Sequence, residues 1–580
     1  MPDLSAASKS VAPGPLPADL TGMQDDADFD AVARLKAIAR LPLPEVPPAD
    51  GIRVLHISLY CYKSFAIRIL HALALKDGAN SHAMFFKNNF TNDHLPVTET
   101  EIQLLKARVT AARPEIVMLS VMAPYVIAAE RIVREIRSVS DATVIIGGKY
   151  PTIDPVHALR IADYACKGEG ELVLLHVLAR QRQGRDFRDI KGLWYKDDAG
   201  RAVDMGQQFL HQEMDDFPYP AVAEPQMSFI EMNRITKTDP EIDEEEFLMM
   251  AGRGCVYLCS FCVNSLLIPM NRGNGRFVRL RSPENVIEEI EYRRRKCKKA
   301  ERITFNDEVF GVFDDWVTDF SNKYKAACQM PFECELVPRL IKEHNVEQLA
   351  KAGMNSLHFG IQSGQDDIRK EIMHRPGTNS ELIEKARILE KNGVTPQFDM
   401  ILGNPFDTAE SLGEALDLLL ALPQPMRLNT YKMQFYPHYP FTKMALEAGH
   451  ITADDVSYEK CAEGTLYNMV FRPRFSFFDR RVHLENAIYV MPLQNSAVHR
   501  MVMALRRHNS VLLGALISLI AVYRYNTGFE QRPALIWMRR VVIGVTLLFR
   551  GDWKMLAKKT ARAFMRPIQR RPHTGRLSSR

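Results

Sequence analysis

Two runs of short apolar segments alternating with helical stretches constrain the fold most strongly. In the first run, "GIRVLHISLY" (Gly51–Tyr60), "PEIVMLSVM" (Pro114–Met122) and "ATVIIGGKYPT" (Ala142–Thr152) read as buried strands. "SFAIRILHALALKDG" has helical spacing and stops at Gly78, another helical run reaches about Arg137, and "ADYACKGEGE" (Ala162–Glu171) reads as a short strand turning into a helix. Such alternation implies an α/β fold with a parallel, doubly wound sheet. Ligands of such sheets bind beyond the carboxyl ends of the strands. Those ends carry Ser58, Ser120, Gly147, Gly148, Gly168 and Glu169, which fit plain turn chemistry equally well.

From Gly192 to about Glu245 the pattern weakens, and "DDFPYPAV" (Asp215–Val222) reads as a connector. A second alternating run opens with "FLMMAGRGC". Its strand candidates are "RITFNDEVF" (Arg302–Phe310), "FECELVP" (Phe332–Pro338), "SLHFGIQSG" (Ser356–Gly364), "PQFDMILGNP" (Pro396–Pro405) and "RLNTYKMQFYP" (Arg427–Pro437). Helical stretches separate them at Pro283–Lys299, Asp314–Gln329, Asn345–Ala352, Ser380–Asn392 and Thr408–Leu422. Six βα units without a seventh and eighth imply a partial barrel, whose active site belongs at the carboxyl ends of its strands. The expected organisation is a poorly ordered extension (1–50), an α/β domain (51–195), a linker (196–245), a partial (β/α)6 barrel (246–440) and a helical C-terminal region (441–580).

The barrel opens on "GRGCVYLCSFC", with Cys255, Cys259 and Cys262 spaced C-x3-C-x2-C. A structural zinc site wants four closed ligands, and Cys297, Cys328 and Cys334 are scattered singly. Three thiolates can instead hold three irons of a [4Fe–4S] cube and leave the fourth open. Gly252 and Gly254 would let the backbone wrap close to such a cluster. Nine cysteines in 580 residues are no disulfide framework, and no secretory signal is evident, so a reducing cytoplasm is the expected setting.

The C-x3-C-x-aromatic-C pattern, with Phe261 before the last cysteine, resembles the radical S-adenosylmethionine (SAM) superfamily. In that family SAM chelates the open iron and is cleaved to a 5′-deoxyadenosyl radical. "ITFNDEVF", with Asp307 and Glu308, resembles the second-strand motif near the SAM methionine. "LHFGIQSG" resembles the "G-(I/V)-E-S-G" strand, with Gln362 replacing the usual Glu. "FDMILGNPFDTAESL" resembles the "G-x-P-x-E-T" turn near the adenosine, with Gly403 and Pro405 kept and Asp407 in the acidic place. The resemblance therefore implies SAM binding by Phe261, Asp307, Glu308, Gln362, Gly403 and Pro405.

"GGKYPTIDPVHAL...ADYACKGEGE" is similar to the "GG-x-H-P-T...GEGE" stretch of the subclass with a Rossmann-like cobalamin-binding domain. That subclass implies a corrin over Ser58, Tyr60, Ser120, Gly147, Gly148, Gly168 and Glu169. No D-x-H-x-x-G is present; "SLYCYKSFA" stands in its place, so no histidine is offered to the cobalt, and Cys61 reads as a small buried residue. The implied reaction is methylation of an unactivated carbon in a small or lipid-like molecule. The alternative within the class is a non-methylating radical reaction such as oxidative ring closure. A flavodoxin or ferredoxin would supply electrons. Tyr436 and His438 in "FYPHYPF" fall near the last strand end, as pocket lining or packing.

Beyond the barrel, "VLLGALISLIAVY" (Val511–Tyr523) and "VVIGVTLLF" (Val541–Phe549) are shorter than the ~20 residues of a spanning helix. From Trp553 to Arg580 there are nine Lys or Arg and no Asp or Glu. An apolar hairpin followed by a basic helix reads as attachment to an anionic membrane surface, against a buried helical pair with a solvated tail. A nucleic-acid-binding protein with a structural cluster is the reading from another class. Net charge of only +5 and the absence of base-stacking motifs argue against it.

Overall fold

The computed structural model describes residues 29–88, 96–462, 471–493 and 496–527. The chain divides into two compact units, Met1–Phe471 and Arg472–Arg580.

The first unit holds two sheets. Strands β1 (Arg53–Leu59), β2 (Asn80–Phe86), β3 (Ile116–Ser120), β4 (Thr143–Gly147), β5 (Tyr164–Cys166), β6 (Leu193–Lys196), β7 (Ala202–Asp204), β8 (Met227–Glu231) and β9 (Arg234–Thr236) form one nine-stranded sheet. Its order is β7-β6-β5-β4-β3-β1-β2-β8-β9, parallel from β5 to β8, with antiparallel pairing of β5 to β6 and β6 to β7 at one edge and of β8 to β9 at the other. The chain leaves β1 first to one side and then to the other. The topological switch point, where open sheets of this kind hold ligands, therefore lies between β1 and β3. The near-continuous apolar composition of β1, β3 and β4 matches burial on both faces by α1 (Ala31–Ala39), α2 (Phe65–Lys76), α3 (Glu99–Ala112), α4 (Val126–Arg137) and α5 (Glu171–Arg182). A capping box, Thr98 with Glu101, starts α3.

Three boundaries differ from the sequence expectation. The stretch 196–245, read as a linker, supplies β7, β8 and β9; its prolines flank β8 and hide it. Within 1–50, α1 buries Ala31, Leu35 and Ile38 against the sheet, while residues 1–28 lie outside the described set. The division between units falls after Phe471 instead of residue 440. Residues 440–471 belong to the first unit, where the Phe441 and Phe471 amides donate to the Ser260 and Thr430 carbonyls at 3.0 and 2.9 Å.

The second sheet comprises β10 (Glu246–Met249), β13 (Arg302–Phe305), β14 (Phe332–Glu335), β15 (Met354–Gln362), β16 (Thr395–Leu402) and β17 (Arg427–Lys432), all parallel and in that order. It is the partial barrel that six βα units require. Between its first two strands, β11 (Gly252–Arg253) and β12 (Arg279–Leu280) form a small antiparallel ribbon. Helices α6 (Asn264–Met270), α7 (Pro283–Lys296), α8 (Asp314–Ala327), α9 (Glu343–Ala352), α10 (Asn379–Lys391), α11 (Ala409–Ala421) and α12 (Pro440–Glu447) accompany it. Phe305 and Phe332 meet Phe310, Phe320 and Tyr324 in an aromatic layer against α8. The alternate positions, Thr304, Glu333 and Glu335, consequently face the concave side.

The second unit contains α13 (Arg480–Val490), α14 (Ser496–His508) and α15 (Val511–Thr527). The apolar Val511–Tyr523 stretch lies in α15, whose Ile517, Ser518 and Ala521 are buried. The Asn486 amide of α13 donates to Ser518 Oγ at 2.9 Å. No helix among the described residues is long and apolar enough to cross a membrane. Val541–Phe549 and the Trp553–Arg580 tail lie outside those residues.

Candidate active site

Cys255, Cys259 and Cys262 sit on the loop that follows β11, ahead of α6. Close backbone packing also demands glycines in this loop. A Cβ on Gly254, at φ +95°, would come within 2.5 Å of the Phe277 carbonyl, and one on Gly252 within 2.7 Å of the Arg279 carbonyl. The ribbon strand β12 thus fixes where the loop begins. Asp307, just beyond β13, is buried and accepts from the Ala251 and Gly252 amides at 3.0 and 2.6 Å, while burial raises its pKa to about 7. Ser260 anchors the far side through its hydroxyl, which donates to the Ile372 carbonyl at 2.6 Å. Phe261 packs beside Ile368, Met373, Met433 and Phe441.

The three thiols lie within electrostatic reach of one another. Burial pushes Cys255 up to about 12 and also raises Cys262, with Cys259 adding to both. Cys259 Sγ accepts from Arg375 Nη1 at 3.5 Å. Arg375 also donates to the Gly360 carbonyl at 3.1 Å and covers the Tyr257 ring at 5.2 Å. Among the described residues no group of three or more His, Cys, Asp or Glu has the arrangement of a metal-ion site. A [4Fe–4S] cube spreads its ligands over separate irons, so a three-thiol loop with no fourth donor fits a cluster better than a single ion.

The mouth of the barrel continues through the other expected residues. Gln362 ends β15 at φ +66°, where the register with β16 shifts; such a bulge re-aims the side chain. Gly403 takes φ +73°, and Pro405 follows the buried Asn404, whose Oδ1 accepts the Phe406 amide at 3.0 Å. Asp407 accepts from Ser411 Oγ at 3.3 Å at the start of α11. Glu308 meets Asn264 Nδ2 at 3.2 Å and Lys149 Nζ at 3.6 Å.

Below this mouth, sequence reasoning missed a polar layer. His358 Nε2 lies 2.7 Å from Asp399 Oδ1, which also accepts from Asn429 Nδ2 at 3.0 Å. Burial raises Glu335 to about 7, with Asp399 and Glu308 adding and His358 and Arg375 opposing. Alternation along β14, β15 and β16 was the available signal, because each polar residue is flanked by apolar ones.

On the nine-stranded sheet, the switch point is filled by aromatic rings. Tyr60, at φ +56°, stacks on Tyr125 at 4.7 Å. Ser58 Oγ donates to the Cys61 carbonyl at 2.7 Å, and burial raises the Cys61 pKa, which keeps it a thiol. Ser120 pairs in register with Gly147. Thr152 ties the two glycine turns together: its hydroxyl donates to the Gly148 carbonyl at 2.8 Å and accepts from the Gly168 amide at 3.0 Å. Gly148, at φ +102°, lies so close to Val121 that a Cβ would sit 2.7 Å from its carbonyl.

This end of the sheet abuts the cluster loop. Arg253 of β11 pairs with Glu169 at 3.2 Å and Glu171 at 2.6 Å, and Arg279 Nη1 of β12 meets Glu169 at 3.1 Å. The Glu169 carboxylate thereby pairs with both arginines of the ribbon. His438 and the Tyr458 hydroxyl both reach Asp154, at 3.1 and 2.9 Å. Tyr436 lies within electrostatic reach of Tyr125, and Tyr439 of Cys262.

The model of the radical SAM superfamily matches residues 249–419, and that of the B12-binding domain matches residues 77–178. The chain carries a radical SAM domain behind a B12-binding domain. The cofactors of this pair are a [4Fe–4S] cluster, SAM and cobalamin. An uncharacterized methyltransferase of Pyrococcus horikoshii is 26% identical over 46% of this chain and 56% of its own length. The anaerobic magnesium-protoporphyrin IX monomethyl ester cyclase of Rubrivivax gelatinosus is 23% identical over 65% of this chain and 64% of its own. The chain thus spans less than two thirds of each of these curated relatives. In fold it is similar to the radical SAM methyltransferase TsrM of Kitasatospora setae, solved with cobalamin and a [4Fe–4S] cluster, at TM-score 0.56 and 16% identity over 82% of this chain and all of that one. It is also similar to the cobalamin-dependent radical enzyme OxsB, at TM-score 0.57 and 13% identity over 86% and 75%.

Cobalamin at the switch point would meet Tyr60 and Cys61, which stand at the place of the missing motif and offer it no imidazole. Beside it, Gly147 and Gly168 present backbone alone. The radical SAM domain offers three thiols and no fourth. Both donor sets fit their groups.

Proposed function

We propose that the protein is a cobalamin-dependent radical SAM enzyme that methylates an unactivated carbon of a small molecule. The observation that carries this reading is the contact between Lys149, in the glycine turn of the B12-binding domain, and Glu308 of the barrel, both beside Cys262. This contact supports a single mouth serving both cofactor sites. When bound, the cluster with SAM supplies hydrogen abstraction and cobalamin supplies the methyl group.

The chain's own residues position and exclude. Cys255, Cys259 and Cys262 hold the cluster, while Asp307 and Ser260 fix the two ends of their loop. Phe261, Glu308, Gln362, Gly403 and Pro405 line the SAM site; Ser58, Tyr60, Ser120, Gly147, Gly148 and Gly168 line the corrin site. Tyr60, Tyr125, Tyr436 and Tyr439 keep water from the space between. Glu335, His358 and Asp399 face the bore and receive a polar group of the substrate. The enzyme works in the cytoplasm with a flavodoxin or ferredoxin as electron donor, on a small or lipid-like substrate.

Anaerobically reconstituted enzyme, incubated with methyl-labelled SAM and a cell extract, tests this. Label in an extract component together with 5′-deoxyadenosine is the expected result. Formation of 5′-deoxyadenosine without label transfer would point to the second reading, a ring-closing radical reaction, which the relation to the cyclase favours. Undiminished 5′-deoxyadenosine from Cys255→Ala would remove the cluster assignment.

A further inference from the structure

Charge is divided sharply between the two units. Residues 1–471 carry 54 Lys and Arg against 66 Asp and Glu, whereas Arg472–Arg580 carry 21 against four. The whole-chain balance of +5 hides this division. The second unit also holds six of the fifteen exposed large hydrophobic side chains among the described residues, although it supplies only a small fraction of them.

Those six are not scattered. Phe475, Phe477 and Phe478 lead into α13, and Phe478 is 80% exposed. Val511 and Leu512 open α15, and Leu519 follows on the stripe of Leu512 two turns on. The His483 ring joins the two groups: its Nε2 meets the Ser476 carbonyl at 3.0 Å, and Gly514 lies so close that a Cβ there would overlap the ring. One helical turn further along α13, the Asn486 amide bridges the Arg474 carbonyl at 2.8 Å and Ser518 Oγ at 2.9 Å. The aromatic segment and the start of α15 therefore form one apolar tip.

Arginines rim it. Arg480, at the start of α13, donates to the Leu505 carbonyl of α14 at 3.3 Å and lies within electrostatic reach of Arg506. Arg506 and Arg507 end α14 immediately before the turn into α15. Arg474 borders the phenylalanines and pairs loosely with Asp479 at 4.0 Å. A contiguous apolar patch on a soluble surface marks an interaction site. Aromatic rings ringed by cations match a bilayer whose headgroups are anionic and whose acyl boundary is apolar.

We propose that the Phe475–Phe478 segment and the start of α15 form a tip that inserts into the surface of an anionic membrane, with Arg474, Arg480 and Arg507 on the lipid phosphates. This surface is independent of the chemistry proposed above and stands or falls without it.

Full-length protein is floated with phosphatidylcholine vesicles containing or lacking about 30% phosphatidylglycerol, at low and high salt. The expected result is binding to the anionic vesicles alone, weakened by salt, and a loss of about tenfold or more in Phe475→Ser/Phe477→Ser/Phe478→Ser, each residue burying apolar area in the boundary. These positions are exposed, and unchanged circular dichroism and iron content confirm the fold of the variant. Undiminished binding by the triple variant would leave attachment to the basic tail alone and overturn the proposal. A switch from dimer to monomer in sedimentation of the variant would make the tip an interface between copies, which also overturns it. Equal binding to neutral vesicles would remove the role of the arginine rim.

Discussion

Glu169→Gln should loosen the cluster ribbon without touching a cysteine. Against the cost of burial, Arg253 and Arg279 hold the Glu169 pKa down at about 2, from an ordinary 4.5. A shift of that size corresponds to about 3 kcal/mol, the low end of what breaking a buried pair costs. The Glu169 side chain is only 24% exposed and that of Arg279 3%, so solvent screens the pair little. Glutamine keeps the shape and one acceptor but leaves Arg279 with only the His211 carbonyl, at 2.7 Å, as a strong partner. Hydrogen exchange at the paired residues Gly252, Arg253, Arg279 and Leu280 reads the effect directly. Loss of about 3 kcal/mol should speed exchange there about 150-fold, with amides of β16 unchanged. Iron retention should fall in parallel. Exchange in the ribbon within about threefold of wild type, a change under ~1 kcal/mol, would refute the idea that this carboxylate joins the two domains. The sign with pH follows: the stabilisation is present above pH 4.5 and disappears as pH falls through about 2.

Other outcomes follow from the same geometry. Gly254→Ala, which would put a methyl 2.5 Å from the Phe277 carbonyl at φ +95°, should displace the cysteine loop and reduce iron incorporation on reconstitution. Asp307→Asn replaces an acceptor with a donor facing the Ala251 or Gly252 amide and should cost about 1–3 kcal/mol, seen as a lower melting temperature and faster cluster loss. His56 is buried with both ring nitrogens unpaired, and burial lowers its pKa from 6.5 to about 3. Its neutral form supports the fold above pH 6.5, and about 2 kcal/mol should be lost between pH 7 and 5. His56→Leu should flatten that limb of a stability–pH curve, and an unchanged slope would assign it to other groups.

The elements legible in the sequence were those whose pattern is set by one neighbour. The five barrel helices expected from the sequence, α7 to α11, came out within two or three residues, because each has an apolar stripe and Gly or Pro near an end. The strands came out too long at their carboxyl ends: Arg302–Phe310 contracts to a β13 that stops at Phe305. The residues beyond it keep apolar character because Val309 and Phe310 are buried in a loop, Phe310 against Trp316 and Phe320 of α8. Strand β8 was missed because its burial comes from β2, a partner more than a hundred residues away in the chain. The cysteine spacing is local and was readable outright. Arg375 and the His358–Asp399 pair were not, since only the barrel's closure brings separate strands together. The two arginine partners of Glu169 were likewise hidden, since they lie outside the sheet on a ribbon distant in the chain.

The two three-residue strands at the margins of the nine-stranded sheet bear on how the protein avoids its own kind. A long parallel sheet offers two rows of unpaired amides and carbonyls, ready to recruit another chain. Here each row ends in a hairpin: β6 turns back into β7, and β8 into β9, whose Arg234, Ile235 and Thr236 are all exposed. Strands so short give an incoming chain little to register against. The sheet that presents a large cofactor can therefore remain wide without becoming a template for aggregation.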